Sequence, residues 1–151
     1  MQVKNDLFDY KNRYIYQDSG FFKFSVDSIL LAEFAKIEKN DNIIVDMCAG
    51  NMAIPLILST YTQKKITGFE IQSNIYDLGK KSIEVNGLSN QLTIINDDVK
   101  KIGNYFAKES IDIFLCNPPY FKCGDIKVIN TTKELSYARH EIAINLEEIF
   151  F

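Results

Sequence analysis

The residues best suited to chemistry in this sequence are Asn117, Pro118, Pro119 and Tyr120, which directly follow the apolar run "IDIFLC". The Asn117 side-chain oxygen and the Pro118 main-chain oxygen are two hydrogen-bond acceptors. Proline fixes φ and carries no N–H, so this loop is stiff and presents oxygen atoms. Two such acceptors can orient a planar amine, and Tyr120 can stack on a flat ring, a contact worth roughly 1–3 kcal/mol. The plainer alternative is a rigid turn that only terminates a strand.

Carboxylates follow other apolar runs in the same way. Asp46 ends the run "NIIVD" and begins the segment 46–52, in which small residues and Gly50 let the backbone pass close to a ligand. Glu70 comes twenty residues after Gly50, where a carboxylate can accept hydrogen bonds from two ribose hydroxyls. The alternatives are an ordinary tight turn for 46–52 and a solvated strand end for Glu70.

A third apolar run, "QLTII", is followed by Asn96, Asp97 and Asp98. A carboxylate at this position can accept from an adenine amino group, and a solvated strand end is again the alternative. The sequence lacks the G-x-G-x-x-G pattern that binds a pyrophosphate, so a nucleoside without phosphate fits better than NAD. S-adenosylmethionine (SAM) is such a nucleoside, and it carries a sulfonium.

The elements that would position these residues form a repeating pattern. Four short apolar runs lack clean alternation and read as strands; they are residues 42–47, 65–70, 91–97 and 110–116. Helical patterns separate them, one over 51–61 with Pro55 in its first turn, and one over 73–87 with Ser73 as N-cap and Gly87 as its stop. The pattern predicts an α/β fold with a Rossmann-like, doubly wound, mostly parallel sheet of about four core strands, covered by helices on both faces.

The first 40 residues have a different pattern of apolar and polar residues. Residues on both sides of Asp18-Ser19-Gly20 alternate, which predicts a β-hairpin with its turn there. Residues 25–39 follow as a predicted helix with Asp27 as N-cap. Its apolar stripe is expected to consist of Ile29, Leu30, Leu31, Phe34 and Ile37. We expect one domain over 1–151, made of this hairpin and helix (1–40) and a cofactor-binding half (41–151).

Composition narrows the class of protein. The chain has 151 residues and a formal net charge of −3, which excludes a general nucleic-acid binder but not a local basic patch. The cysteines Cys48, Cys116 and Cys123 lack metal-ligand spacing and are predicted to be reduced thiols, the first two as small core residues. No apolar stretch approaches the roughly 20 residues of a membrane span, and the first residues lack the apolar region of a signal peptide. A cytoplasmic protein without a metal site is expected.

The order "VDMCAGN", "GFE", "INDDV" and "NPPYF" resembles the class I SAM-dependent methyltransferases. Within them it is most similar to the bacterial tRNA adenine-N6 methyltransferases. The segments "DSGFFKFSVDSILLAEFA" and "YARHE" resemble the same family, so the resemblance covers essentially the whole chain.

The resemblance implies roles residue by residue. The cofactor-binding positions that it implies are Asp46, Cys48, Gly50, Asn51, Glu70, Ile71, Asp98 and Asn117. The segment 46–51 would lie under the methionine part of SAM, and Glu70 would hold the ribose hydroxyls. Asp98, rather than Asp97, would face the adenine amino group because it directly precedes Val99. Residues 117–120 would form the reaction centre.

Two departures from the family pattern accompany this resemblance. Met52 stands where the family usually has a third glycine, and its side chain is expected to crowd the helix–strand contact or the ligand. The chain also ends early, because family members continue with about three more strands of the doubly wound sheet. The fourth strand would then be an unpaired apolar edge, so a truncated form, a split gene product or a chain that needs a partner is expected.

The resulting hypothesis is methyl transfer from SAM to the N6 amine of an adenosine in RNA, with tRNA as the expected partner. One alternative is methylation of a glutamine amide in a protein such as a release factor, because that amide offers the same two hydrogens. Another is an inactive remnant or a subunit completed by a partner chain. His140 is read first as a hydrogen-bonded structural residue and second as an aid to substrate placement, with Arg139 contacting a phosphate. The basic residues after the loop form an RNA-facing patch or a solvated surface; they are Lys122, Lys127, Lys133 and Arg139.

Overall fold

The fold is built on a parallel sheet of four strands. The computed structural model describes residues 1–7, 10, 12–18 and 25–118. The strands of this sheet are β3 (Ile43–Asp46), β4 (Lys65–Phe69), β5 (Leu92–Ile95) and β6 (Ile113–Leu115). All four predicted strands are therefore present, each slightly shorter than its apolar run.

The strand order is β5-β4-β3-β6, so the direction of winding reverses at β3. The chain first steps outward from β3 to β4 and β5, and then returns to pair β6 with the free side of β3. Asp46 is in register with Gly68 on β4 and with Leu115 on β6. The switch point of this sheet, where open α/β sheets bind ligands, therefore lies between the carboxyl ends of β3 and β6.

The two faces of the sheet are covered differently. One face packs against three helices, α1 (Val26–Phe34), α2 (Ala53–Leu58) and α3 (Ser73–Val85). The other face packs against a 3-10 helix, Val99–Asn104, and the segment that follows it. Helical cover on both faces was predicted, but the second cover is this 3-10 helix, which the sequence pattern did not indicate.

Helix α1 ends earlier than the apolar stripe suggests. Ala35 adopts an extended backbone, and from there alternate residues turn inward, so Ala35 and Ile37 pack against the core from an extended segment. The inward face of α1 carries Ser28 and Ala32 as its buried residues. Leu30 and Phe34, which were predicted to belong to the apolar stripe of this helix, are 60% and 86% exposed. The predicted stripe is therefore wrong at these two positions.

Two predicted N-caps are wrong, whereas the predicted roles of Gly87 and Pro55 at the helix ends are confirmed. Ser25, not Asp27, is the N-cap of α1, and Gln72, not Ser73, is the N-cap of α3. Gly87 follows α3 with φ of +65°, as expected of a residue that stops a helix. Pro55 lies in the first turn of α2. Within the described ranges, no helix is long and apolar enough to cross a membrane.

An N-terminal hairpin is present among the described residues. Strand β1 (Gln2–Asp6) pairs antiparallel with β2 (Tyr14–Asp18), so the connection of this hairpin lies before β2. Ser19 and Gly20 of the predicted turn lie outside the described residues. The predicted second arm, 21–24, lies outside the described residues.

The hairpin docks on the main domain through its backbone. The Tyr16 N–H donates to Ser82 Oγ of α3 at 2.9 Å. Asn86, at the end of the same helix, accepts from the Tyr14 N–H at 2.9 Å and donates back to the Tyr14 carbonyl at 2.7 Å. Each of these bonds satisfies a backbone polar group of β2, so α3 holds β2 in a fixed position.

Candidate functional site at the switch point of the sheet

Asp46 is the last residue of β3 and lies at the centre of the candidate site. Its side chain is fully buried, with an exposed fraction of 0%. Oδ1 accepts a long hydrogen bond of 3.4 Å from the Cys48 N–H, and Oδ2 has no hydrogen-bond partner among the described residues. Burial raises the pKa of this carboxyl to about 7, and the nearby Glu70 adds to the increase. An unpartnered carboxylate oxygen in a buried position stabilises a cation placed beside it.

The turn after Asp46 brings main-chain N–H groups to Glu70. Gly50 has φ of +54°, a left-handed conformation that glycine adopts without strain, and its N–H donates to Glu70 Oε2 at 3.1 Å. The Gln72 N–H donates to Glu70 Oε1 at 2.8 Å. Burial raises the pKa of Glu70, although these N–H groups lower it in part. Glu70 thus links the ends of β3 and β4, and its position beside Asp46 agrees with the spacing seen in the sequence.

The two acids after β5 have different environments. Asp97 accepts from Lys101 Nζ at 2.6 Å and from the Tyr105 hydroxyl at 2.9 Å, and the Lys101 hydrogen bond lowers its pKa. Asp98 accepts from the Lys100 N–H at 3.0 Å and so caps the 3-10 helix. Because Lys101 and Tyr105 already hold the Asp97 carboxylate, Asp98 is the acid better placed to take a further donor. Ile71, next to Glu70, is 45% exposed and offers an apolar surface at the same edge.

Asn117 and Pro118 follow β6 and lie beside the turn after β3. The Met47 N–H donates to the Leu115 carbonyl at 2.8 Å, which extends the pairing of the two strands to their carboxyl ends. Cys116 Sγ lies 3.7 Å from Cys48 Sγ. These contacts bring the start of the Asn-Pro-Pro-Tyr loop next to the segment that begins at Asp46. Pro119 and Tyr120 lie outside the described residues.

Cys48 and Cys116 are both unoxidised thiols at this position. The hydrogen bond with Cys116 and burial raise the pKa of Cys48, so it stays protonated at neutral pH and is a poor nucleophile. This agrees with its interpretation as a small packing residue. Its contribution to the site is to hold the two loops together.

Ser28 is a site residue that sequence reasoning missed. Asn117 Nδ2 donates to Ser28 Oγ at 3.2 Å, although 89 residues separate them along the chain. Ser28 is 6% exposed and lies on the inward face of α1. The only available signal in the sequence was a polar residue on a face that also carries Ala32. That signal does not identify the partner.

Asn51 links the turn to the N-terminal hairpin. Its Nδ2 donates to the Tyr16 carbonyl at 2.9 Å, and its side chain is 7% exposed. The side-chain nitrogen is therefore used for contact with β2, and Asn51 connects the turn after β3 to the hairpin.

Met52 packs into the core beneath the turn. It is fully buried, and it has a left-handed backbone conformation with φ of 72°. A Cβ atom on Gly68 would lie 2.6 Å from Met52 Sδ, and one on Gly79 would lie 3.1 Å from Met52 Cγ. The missing side chains of these glycines thus provide the space for Met52. The expected crowding of the helix–strand contact is relieved in this way, and the side chain points away from the surface of the site.

Replacing Met52 with glycine is expected to lower the free energy of unfolding by about 1–3 kcal/mol. Glycine removes about 1–2 kcal/mol of left-handed strain, but the loss of a buried methionine side chain costs about 2–5 kcal/mol. Urea denaturation of the parent and the variant measures the difference. Glu109→Gly is the matched control, because Glu109 is exposed and also has a positive φ of 60°. The control is expected to be neutral or stabilising, and a stabilised Met52→Gly variant would contradict the packing role.

Several predicted residues cannot be placed. Residues 119–151 lie outside the described part of the chain, as do the predictions made for them. These concern Pro119, Tyr120, Cys123, Arg139, His140 and the basic residues Lys122, Lys127 and Lys133.

The chain is similar to tRNA methyltransferases in sequence and to other methyltransferases in structure. It is 30% identical over 131 residues to the tRNA1(Val) (adenine(37)-N6)-methyltransferase of Haemophilus influenzae strain PittGG, covering 85% of this chain and 55% of that protein. The human methyltransferase 10 domain containing protein matches with a TM-score of 0.60 and 19% identity over 75% of this chain and 56% of that one. Methanocaldococcus jannaschii Trm5 in complex with adenosine matches with a TM-score of 0.56 and 18% identity over 78% of this chain and 35% of that one. No protein-family model matches.

The described core has the class I methyltransferase fold. The predicted Rossmann-like sheet and the resemblance to tRNA adenine-N6 methyltransferases are thereby confirmed. The chain spans about half the length of the curated relatives that it matches. Asp46 ends β3, Glu70 directly follows β4 and Asn117 comes two residues after β6, so all three lie along the edge of the sheet that contains the switch point.

Proposed function

We propose that this chain takes part in SAM-dependent methylation of the N6 amine of an adenosine in RNA, with a tRNA as substrate. The observation that carries the proposal is the position of Asn117. The Asn-Pro-Pro-Tyr loop begins at the switch point, two residues after Leu115, which is in register with the buried Asp46. The name of the Haemophilus influenzae relative supports the same substrate.

The chemistry of the donor set supports a cationic nucleoside as the ligand. Asp46 Oδ2 is buried and has no hydrogen-bond partner in the described part of the chain, so a positive charge would be stabilised there. We assign Asp46, Cys48, Gly50 and Asn51 to the methionine part of SAM, Glu70 to the ribose hydroxyls, and Ile71 and Asp98 to the adenine. When bound, SAM supplies a methyl group already activated as a sulfonium, so orientation and electrostatics are what the protein must add.

Asn117 and Pro118 would act on the amine that receives the methyl group. The lone pair of an exocyclic amine is delocalised into the ring, so the amine is a weak nucleophile. Accepting its two hydrogens at the Asn117 side-chain oxygen and the Pro118 carbonyl turns the lone pair out of conjugation without removing a proton first. These acceptors are held on a stiff loop, and their preorganisation is what lowers the barrier. Tyr120 remains the predicted stacking platform for the base.

A transfer assay tests this proposal directly. The protein carrying this sequence is incubated with tRNA and radiolabelled SAM, and the RNA is digested to nucleosides. We expect the label in N6-methyladenosine. Label found only in guanosine would contradict the proposal. Transfer of label to a glutamine in a release-factor peptide but not to RNA would establish the protein-methylating alternative.

Calorimetry with SAM on the 151-residue chain separates cofactor binding from transfer. Tight binding argues against an inactive remnant. Absence of binding by this chain, together with binding in the presence of a further chain, would favour a subunit that needs a partner. The assay thus addresses the shorter length of the chain relative to its curated relatives.

A further inference from the structure

We propose that Ser28 is a positioning residue that holds the Asn117 side-chain amide in place. The inference rests on the proposed function, because it concerns the group that would receive the substrate amine. It starts from the contact in which Asn117 Nδ2 donates to Ser28 Oγ at 3.2 Å.

An asparagine amide has two chemically opposite ends. The nitrogen is a donor and the oxygen is an acceptor, and rotation by half a turn about χ2 exchanges them with little intrinsic preference. Only the oxygen end can accept a hydrogen from a substrate amine. With Nδ2 held on Ser28, Oδ1 lies on the opposite side of the amide group. Because the Ser28 hydroxyl also donates to Oδ1 after a half-turn, what the contact fixes is the position and the plane of the amide.

Ser28 is itself held firmly enough for this role. It lies in the first turn of α1, its N–H donates to the Ser25 carbonyl at 3.1 Å, and its side chain is buried. Ala32, one turn further along, is 2% exposed and fixes the same face of α1 against the core. The opposite face of α1 carries the exposed side chains of Val26, Leu30 and Phe34. A hydroxyl placed among the inward residues therefore has a defined position relative to the β6 loop.

The simplest alternative is that Ser28 is a hydrogen-bonded core serine without influence on the reaction. Ser82 provides the matched control, because it is also buried, with an exposed fraction of 0%, and its Oγ accepts from the Tyr16 N–H. Both Ser28→Ala and Ser82→Ala delete a buried hydroxyl. A purely structural role predicts similar behaviour of the two variants at the site.

The kinetic experiment compares kcat and SAM affinity in the parent, Ser28→Ala and Ser82→Ala proteins. We expect Ser28→Ala to lower kcat by about tenfold, which is the loss of one hydrogen bond, while the Kd for SAM stays the same. Ser82→Ala is expected to lower thermal stability but to keep kcat. Equal kcat in the parent and Ser28→Ala, or an equal loss in both variants, overturns the positioning role.

A second measurement does not depend on activity. The side-chain amide NMR signals of Asn117, assigned by their loss in Asn117→Asp, are expected to shift and to exchange faster with water in Ser28→Ala but not in Ser82→Ala. Unchanged signals in Ser28→Ala overturn the inference. The two failures remain distinguishable: a parent without transfer to adenosine contradicts the proposed function, whereas an active parent whose Ser28→Ala variant retains kcat contradicts only the role of Ser28.

Discussion

Replacing Asn117 with alanine is expected to lower kcat for methyl transfer by about 10²- to 10³-fold, the size of effect typical of removing one oriented hydrogen-bonding group from a reaction centre. The variant keeps the Pro118 carbonyl but loses the side-chain acceptor, so the amine of the substrate is no longer held with its lone pair out of conjugation. Single-turnover transfer of radiolabel to tRNA measures the rate, and calorimetry measures the Kd for SAM.

Two controls show whether that loss is specific to the acceptor. Asn104→Ala removes an exposed asparagine at the end of the 3-10 helix and is expected to keep the parental rate. Asn117→Asp retains an oxygen acceptor and is expected to be more active than Asn117→Ala. Full activity of Asn117→Ala, or equal losses in Asn117→Ala and Asn104→Ala, would remove Asn117 from the proposed reaction centre.

Asp46→Asn is expected to change both the pH dependence of stability and the affinity for SAM. Burial raises the pKa of Asp46 to about 7, well above the value of about 3.9 in an unfolded chain. Between these two pH values Asp46 is protonated in the folded state but ionised in the unfolded chain. The free energy of unfolding of the parent therefore falls as the pH rises, and it becomes constant above about pH 7. Asparagine does not titrate, so this loss is absent from the variant.

Urea denaturation at several pH values measures this difference. The stability of Asp46→Asn relative to the parent is expected to rise by about 2–3 kcal/mol between about pH 5 and pH 8. Asp77→Asn makes the same substitution on the exposed side of α3 and is the control. The opposite trend, or a flat difference, would contradict the raised pKa.

The affinity for SAM should rise with pH over the range in which the stability of the parent falls. An ionised Asp46 is needed to stabilise the positive charge, so the parent is expected to bind SAM more tightly as the pH rises toward about 7 and to level off above it. Asp46→Asn is expected to bind about 10- to 100-fold more weakly, as one charge-assisted hydrogen bond is worth about 1.5–3 kcal/mol. Unchanged SAM affinity in the variant would show that the cofactor does not use this carboxylate.

The parallel sheet could be predicted because its strands are apolar on both sides. Ile44 and Val45 face opposite layers of the core and are both fully buried, which produces the uninterrupted run seen in the sequence. The residues at the carboxyl ends of such strands must meet at one edge, so the grouping of Asp46, Glu70 and Asn117 followed from their position after each run.

Features that depend on contacts between distant segments could not be predicted. Strand β1 has no alternation, since Gln2, Val3 and Lys4 are all exposed, and its pairing with β2 became clear only from the structure.

Two helical features were also missed. The 3-10 helix is too short for a periodic pattern. Phe69 packs against Tyr105 and Phe106, just after it, with ring centroids 5.4 and 6.5 Å apart. Helix α1 was predicted too long because the inward residues after Phe34 can be spaced for a helix or for an extended segment.

In the candidate site, too, features with a local sequence signal could be predicted and contacts between distant residues could not. The strand-end acids carry local signals, whereas the contact between Ser28 and Asn117 joins residues 89 positions apart and has none. Likewise, the space for Met52 comes from two glycines on other elements, Gly68 and Gly79, which the sequence around the turn does not reveal.

The docking of the hairpin has a consequence for how the chain is made. Tyr14 and Tyr16 leave the ribosome early, but their hydrogen-bonding partners Asn86 and Ser82 are synthesised 72 and 66 residues later. At about 5–20 residues per second, several seconds pass before those partners exist. Strand β2 therefore reaches its contacts with α3 only after that helix has been synthesised, and the contact of Tyr16 with Asn51 likewise waits for the turn after Asp46.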